Sequence, residues 1–173
     1  MQDWLEKVEK ICHEVCTREG CYLYDLEFGG LGQGRTLRVF IDKEAGGGAG
    51  LEDCSNVSRG LNEALDQQGE DFIPGGPYHL EVSTPGIDRL LRKPWHFEKV
   101  VGKKIWVKTK APLEAIGQVE DPGLKNAKQI ESTLKEFKNE TLVLENKKGD
   151  IQFPLNQVEK AKVVFEMTKK PKR

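Results

Sequence analysis

The chain has 173 residues, of which 37% are hydrophobic and 32% are charged, so it can build one large domain or two small ones. No apolar run approaches the roughly 20 residues of a membrane helix, and residues 1–10 lack the apolar stretch of a secretory signal, so we expect a cytoplasmic protein without a membrane partner. The net charge of −1 hides a division: residues 1–86 hold 7 Lys or Arg against 16 Asp or Glu, whereas residues 87–173 hold 20 against 12. An acidic half beside a basic half predicts two surfaces with different partners. Lysine-rich strands that are merely solvated would give the same division of charge.

The acidic half has the pattern of a two-layer α/β domain, which we place at residues 1–86. Apolar residues recur at helical spacing in two segments and alternate, as in strands, in three others. The predicted helices cover 3–18 and 51–68, and the predicted strands cover 21–28, 37–41 and 78–82. In the first strand, Tyr24, Leu26 and Phe28 are expected to share one face. The order of helix, strand, strand, helix and strand predicts helices packed over one face of a single sheet.

The basic half begins at a turn and has the pattern of a small β-barrel. Pro85 fits the second position of a turn and Gly86 the third, where a positive φ is needed. Residues 87–93 are expected to form a linker, 94–168 the barrel and 169–173 a basic tail. A short helix is predicted at 95–100 and a long polar loop at 117–131. Alternating apolar pairs predict strands at Ile105 and Val107, Leu142 and Leu144, Ile151 and Phe153, and Val163 and Phe165.

The four cysteines have neither the spacing of a zinc site nor that of a small disulfide framework; they are Cys12, Cys16, Cys21 and Cys54. Cys12 and Cys16 are one helical turn apart with His13 between them, but no second ligand pair follows at zinc-finger spacing. Buried, reduced thiols on helix faces are the simpler interpretation. We therefore expect no metal and no disulfide.

Neither the two glycine-rich segments nor the three histidines have the sequence pattern of a known site. Residues 29–34 lack the G-x-G-x-x-G spacing and precede a strand, and their G-x-x-G joins two strands, whereas the KH loop joins two helices. Residues 46–50 precede a helix, but no Lys-Ser/Thr follows, as a P-loop requires. His13, His79 and His96 adjoin no Ser or Cys motif of known mechanism, although residues distant in the chain can still form a triad. We predict no catalytic residue.

Residues 78–91, which read YHLEVSTPGIDRLL, resemble the signature of the RimP family, a strand followed by S-S/T-P-G-L/I-D-R-P-L. The resemblance covers roughly residues 3–166 in the right order. Further matching segments lie at 37–42, 53–66, 97–102, 153–155 and 160–164. The chain departs from the family at Leu90, where Pro is usual, and mildly at Thr84. Its segment 117–131 replaces a tighter loop, so contacts made by that loop are not carried over.

The resemblance implies an α+β chain with an N-terminal α/β domain and a C-terminal SH3-like, Sm-like barrel. It implies a ribosome maturation factor that binds the free 30S small ribosomal subunit, at rRNA and a ribosomal protein near the decoding site, and assists its assembly. It implies no cofactor, no catalysis and no small-molecule substrate, and we expect a monomer. The motif residues are expected to lie at the interdomain junction, with the last two as a structural ion pair; they are Ser83, Thr84, Pro85, Gly86, Asp88 and Arg89.

A basic cluster near the start of the barrel is the candidate contact with rRNA or a ribosomal protein. It comprises Arg92, Lys93, Lys103, Lys104, Lys108 and Lys110. On a strand, Lys104, Lys108 and Lys110 share one face and Ile105 and Val107 share the other, so three ammonium groups can face RNA phosphates. No RRM-like aromatic motif indicates base stacking. The alternatives are a general Sm-like RNA-binding protein or RNA chaperone, a protein-only adaptor, and an enzyme using Asp88, Arg89 and a histidine.

Overall fold

The computed structural model describes residues 3–44, 48–87 and 89–165. The chain divides into two compact units, Met1–Pro85 and Gly86–Arg173. Three features considered above lie wholly or partly outside the described residues: the start of the glycine-rich stretch 46–50, Asp88, and the tail 169–173. The linker at 87–93 stays a prediction.

The first unit contains two helices and a three-stranded sheet in the predicted order. The elements are α1 (Asp3–Arg18), β1 (Tyr22–Gly29), β2 (Thr36–Asp42), α2 (Leu51–Asp66) and β3 (His79–Ser83), with a 3-10 turn at Gly32–Gly34 between β1 and β2. The strand order is β1-β2-β3. β1 pairs antiparallel with β2, and β2 pairs parallel with β3, so α2 is the crossover connection that a parallel pair requires. The two-layer α/β prediction is confirmed.

The core of the first unit lies between the helices and one face of the sheet. Alternate residues of β2 are fully buried and meet apolar residues of both helices; they are Leu37, Val39 and Ile41. The predicted face of β1 needs one correction. A bulge between Leu23 and Asp25 shifts the alternation, so Leu23, and not Tyr24, joins Leu26 and Phe28 in this core. An inserted residue reverses the side on which the preceding residues point.

The second unit is built on a five-stranded antiparallel sheet. Its elements are α3 (Pro94–Lys99), β4 (Lys104–Thr109), α4 (Leu113–Ile116), β5 (Gln129–Lys138), β6 (Thr141–Leu144), β7 (Ile151–Pro154) and β8 (Val158–Val163), with a 3-10 turn at Leu155–Gln157. The strand order is β7-β6-β5-β4-β8. β7 and β8 are therefore at opposite ends of the sheet, and no ladder among the described residues closes it. The five strands confirm an antiparallel β unit and leave the SH3-like barrel unconfirmed.

Strand β5 was missed by the sequence analysis, and it corrects the predicted loop at 117–131. Residues 129–131 belong to β5, whose first half pairs with β4 and whose second half pairs with β6. Only Ile130 and Leu134 are buried in it, because Ser132 interrupts the apolar alternation and a bulge after Leu134 shifts it. Two further corrections are small. The last strand ends at Val163, leaving Phe165 55% exposed, and helix α4 was not predicted.

Among the described residues, none of the helices combines the length and the apolar character that a membrane crossing requires.

Candidate nucleic-acid interface

Strand β4 places charged and apolar side chains on opposite faces, as predicted. Ile105 and Val107 are fully buried in the core of the second unit, so Lys104, Trp106 and Lys108 point outward. Strand β8 adds two more cations to the outward face, because Lys162 lies opposite Trp106 and Lys160 lies opposite Lys108. We call the five outward residues the basic face: Lys104, Trp106, Lys108, Lys160 and Lys162.

Two lysines of the basic face already have carboxylate partners. Lys104 Nζ is 3.5 Å from Glu131 on β5, and Lys108 Nζ is 3.6 Å from Glu159. All four side chains are more than a third exposed, and exposed ion pairs contribute little to stability. A phosphate can therefore compete with either carboxylate. The expectation of three ammonium groups on one face of this strand is corrected, since Lys110 lies beyond the end of β4.

The remaining members of the basic face were missed as site residues by the sequence analysis. The Lys162 ammonium lies over the Trp106 ring, 5.5 Å from its centroid. Lys160 is exposed, and it forms no ion pair with the residues that the structure describes. The sequence does indicate that Lys160 and Lys162 point outward. They flank Ala161, which is buried, and this alternation is expected of a half-buried strand. The sequence alone does not show that β8 pairs with β4.

A groove opens at one end of the basic face, within the second unit. Its volume is about 500 Å³. It is lined by Leu90, Leu91, Arg92, Lys108, Leu155, Val158, Glu159, Lys160 and Ala161. Lys108 and Lys160 belong both to the groove and to the basic face, so the two form one continuous surface.

The groove exists because the chain leaves the edge of β8 partway along it. The Leu91 N–H donates to the Ala161 carbonyl at 2.9 Å, and the Val163 N–H donates to the Arg89 carbonyl at 3.0 Å. Residues 89–91 therefore run antiparallel to the second half of β8. At Arg92 the chain turns away toward α3, and the first half of β8 is left beside the groove.

His96 holds this turn in place and is structural. Its side chain is 1% exposed, and its Nδ1 accepts hydrogen bonds from the Arg92 and Lys93 N–H groups at 3.0 and 3.1 Å. Because Nδ1 is an acceptor, it carries no proton in this arrangement. Arg92 lines the groove, whereas Lys93 directly precedes α3.

The other basic residues predicted as site residues are not part of this surface. Lys103 is exposed in the turn between α3 and β4, where its N–H donates to the Val100 carbonyl. Lys110 is exposed after β4, and its N–H donates to the Gln157 carbonyl. Neither residue lines the groove, nor does Lys93. Of the six predicted basic residues, Arg92 and Lys108 line the groove and Lys104 completes the basic face.

After β3 the structure has a turn at Ile87 and none at Pro85 and Gly86, so the predicted position of the turn is corrected. Ser83 ends β3 opposite Phe40, and Thr84 and Pro85 follow it. Gly86 has a φ of 78°, which matches the positive φ predicted at this position. The Arg89 Nε donates to the Gly86 carbonyl at 3.3 Å. The role proposed for Asp88 and Arg89 at a domain junction stays a prediction.

Among the described residues, the cysteines and the remaining histidines are not grouped into a reactive or metal-binding site. All four thiols are free. Burial raises the pKa of Cys12 and of Cys16 to about 12, and burial also raises the pKa of Cys54. Thiols of this kind are poor nucleophiles. Within the described parts of the chain, no three His, Cys, Asp or Glu side chains are grouped so that they could hold a metal ion.

The first unit also matches a known family in sequence. The model of the RimP N-terminal domain matches residues 11–88, which run from the middle of α1 through β3 to the segment after Pro85 and Gly86. This match contains the second half of α1, the β1–β2 hairpin and the parallel crossover through α2. Residues 11–88 therefore contain the N-terminal domain of RimP, a family of ribosome maturation factors.

Proposed function

We propose that this protein binds the free 30S small ribosomal subunit in the cytoplasm and assists its assembly as a monomer without catalytic activity. The observation that carries the proposal beyond the family match is the basic face, where four lysines and Trp106 lie on one side of β4 and β8. Such a surface suits the phosphates of rRNA. The proposal includes an SH3-like, Sm-like barrel for the second unit, which five short antiparallel strands support.

The two units have charges that suit two different partners. Residues 1–86 carry 7 Lys or Arg against 16 Asp or Glu, and an acidic surface is complementary to a basic ribosomal protein near the decoding site. The basic face of the second unit is complementary to rRNA. Binding both at once would favour one arrangement of rRNA and protein over others, and assembly would proceed by this shift in population.

Co-sedimentation with free small subunits tests the proposal. The triple variant Lys104→Gln, Lys160→Gln, Lys162→Gln should bind less tightly and with a weaker salt dependence, since each lost phosphate contact lowers the log–log salt slope by about 0.7–0.9. A matched control is Lys125→Gln, Lys138→Gln, Lys147→Gln, which removes the same charge from exposed positions outside the basic face. Equal binding by both variants would contradict the assignment of rRNA contact to this face.

A general Sm-like RNA-binding protein or RNA chaperone is the second candidate. The observation in its favour is that the basic face lies outside residues 11–88, to which the family match is confined. A chaperone should bind unstructured RNA as tightly as it binds the subunit. A maturation factor should prefer the free subunit over bare RNA and over whole ribosomes.

A further inference from the structure

We propose that the groove beside β8 holds one unpaired nucleotide of RNA, with the base against its apolar floor and the phosphate on its cationic rim. The inference rests on the proposed function and deepens it, since it names the form of RNA that the surface takes. The basic face alone could receive any RNA backbone. The groove has a shape and a composition that a helical backbone does not need.

The floor of the groove is aliphatic and open to solvent. Leu90 is 39% exposed, and Leu155 and Val158 are half-buried. Three partly exposed aliphatic side chains in one concavity of about 500 Å³ fit a flat, largely apolar group, since small-ligand sites fall at roughly 300–1,000 Å³. A base has two such faces, and burying one against this floor removes apolar surface from water.

The rim of the groove is cationic, and its charges come from three separate segments. Arg92 follows the stretch that pairs with β8, Lys108 ends the outward face of β4, and Lys160 stands opposite Lys108 on β8. Among the described residues that line the groove, Glu159 is the only acidic one, and it pairs with Lys108. A guanidinium and an ammonium on one rim are the groups that bind phosphate in proteins.

An RNA strand suits this surface better than an acidic peptide because the positive charge continues past the groove. Lys104 and Lys162 extend it along the basic face, as a repeating polyanion requires and a single acidic side chain does not. An unpaired strand suits it better than a duplex, because the bases of a duplex are stacked inside the helix and cannot reach an apolar floor. One splayed nucleotide can occupy the groove while its neighbours follow the lysines.

Fluorescence anisotropy with two RNA probes tests the inference. The probes are a labelled oligouridylate of about eight nucleotides and a duplex RNA of the same length. Leu90→Asn should weaken oligouridylate binding about fivefold, as expected when roughly 1 kcal/mol of contact is lost, and should leave duplex binding unchanged. Leu31→Asn is the matched control, because Leu31 is 92% exposed in the first unit, and it should change neither.

Two further variants separate the floor from the rim. Val158→Thr replaces one methyl group with a hydroxyl and keeps the side-chain shape, so it should weaken oligouridylate binding. It tests the floor independently if Leu90→Asn fails to fold. The pair Arg92→Gln, Lys160→Gln should lower the salt slope for the single strand by about 1.4, the sum of two phosphate contacts at roughly 0.7 each.

Each outcome separates the groove from the function on which it rests. If the floor variants weaken single-strand and duplex binding equally, or weaken neither, the nucleotide site is wrong. If wild-type protein co-sediments with small subunits but binds no oligouridylate, the groove proposal fails and the proposed function stands. Loss of subunit binding in Leu90→Asn, with oligouridylate binding intact, would assign the groove to a protein segment instead. Failure of the wild type to bind either subunit or RNA would overturn both.

Discussion

Gly60 of α2 lies so close to Val15 of α1 that a methyl group added to Gly60 would come within 2.9 Å of Val15 Cγ1. The two helices can approach this closely because Gly60 has no side chain. We expect Gly60→Ala to destabilise the protein by about 1 kcal/mol, because overpacking costs roughly 1–3 kcal/mol and the better helix propensity of Ala returns about 1 kcal/mol. Chemical denaturation measures this, with the exposed α2 position Glu63→Ala as control. A gain in stability for Gly60→Ala would show that the helices separate without cost.

The hairpin between β5 and β6 turns through two non-glycine residues of positive φ, Asn139 at 51° and Glu140 at 54°. Tight hairpins with both central residues at positive φ favour Asn-Gly. We therefore expect Glu140→Gly to raise the free energy of unfolding by about 1 kcal/mol, since only glycine adopts this conformation without a steric penalty. Glu140→Ala removes the same charge and keeps the penalty, so it should give no gain. Equal stabilisation by both variants would point to charge as the cause.

Two buried thiols of α1 should make the protein sensitive to alkaline pH. Burial raises the pKa of Cys12 and Cys16 from 9.0 to about 12 in the folded state, so between these values the unfolded chain has lost protons that the folded chain keeps. Their contribution to stability is therefore complete below pH 9 and falls as the pH rises toward 12. Urea unfolding at increasing pH should show a decline that is shallower in Cys12→Ala, Cys16→Ala. The non-titrating control Ser55→Ala should decline as steeply as wild type.

Asp121 should make the segment 117–128 sensitive to acid. Its carboxylate accepts a hydrogen bond from the Gly123 N–H at 3.0 Å, and it also contacts Asn146 and Lys148. The Gly123 N–H is the largest cause of a lowered pKa for Asp121. The resulting stability is present above the unfolded value of about 3.9 and is lost as the pH falls through the lower folded value.

We expect Asp121→Asn to speed hydrogen exchange in residues 117–128 at neutral pH and to flatten the acid dependence of unfolding. Glu114→Gln, at an exposed position of α4, is the control and should do neither. If exchange is unchanged in Asp121→Asn, the contacts of Asp121 with Asn146 and Lys148, between β6 and β7, do not anchor this segment.

The elements with a regular apolar period could be predicted from the sequence alone. In α1 and α2 the buried side chains recur at helical spacing, and in β2 and β4 they alternate, because each element buries a single face and its local geometry sets the period. The outward direction of Lys104 and Lys108 followed from the same argument. The RimP resemblance could also be recognised locally, since its signature is one continuous segment, residues 78–91.

Only the tertiary structure decided which side chains lie next to Lys104 and Lys108. Ile130 and Leu134 belong to a strand whose pattern is interrupted by Ser132 and a bulge, so β5 could not be recognised without its partners. Lys160 meets Lys108 across about fifty intervening residues because β8 returns to the free edge of β4. The groove depends further on where residues 89–91 leave β8, which is set by hydrogen bonds to Ala161, Val163 and His96. The spacing of apolar residues in the sequence shows which side of a strand faces the core. Pairing between strands that are distant in the sequence determines which side chains lie together on the opposite, exposed face.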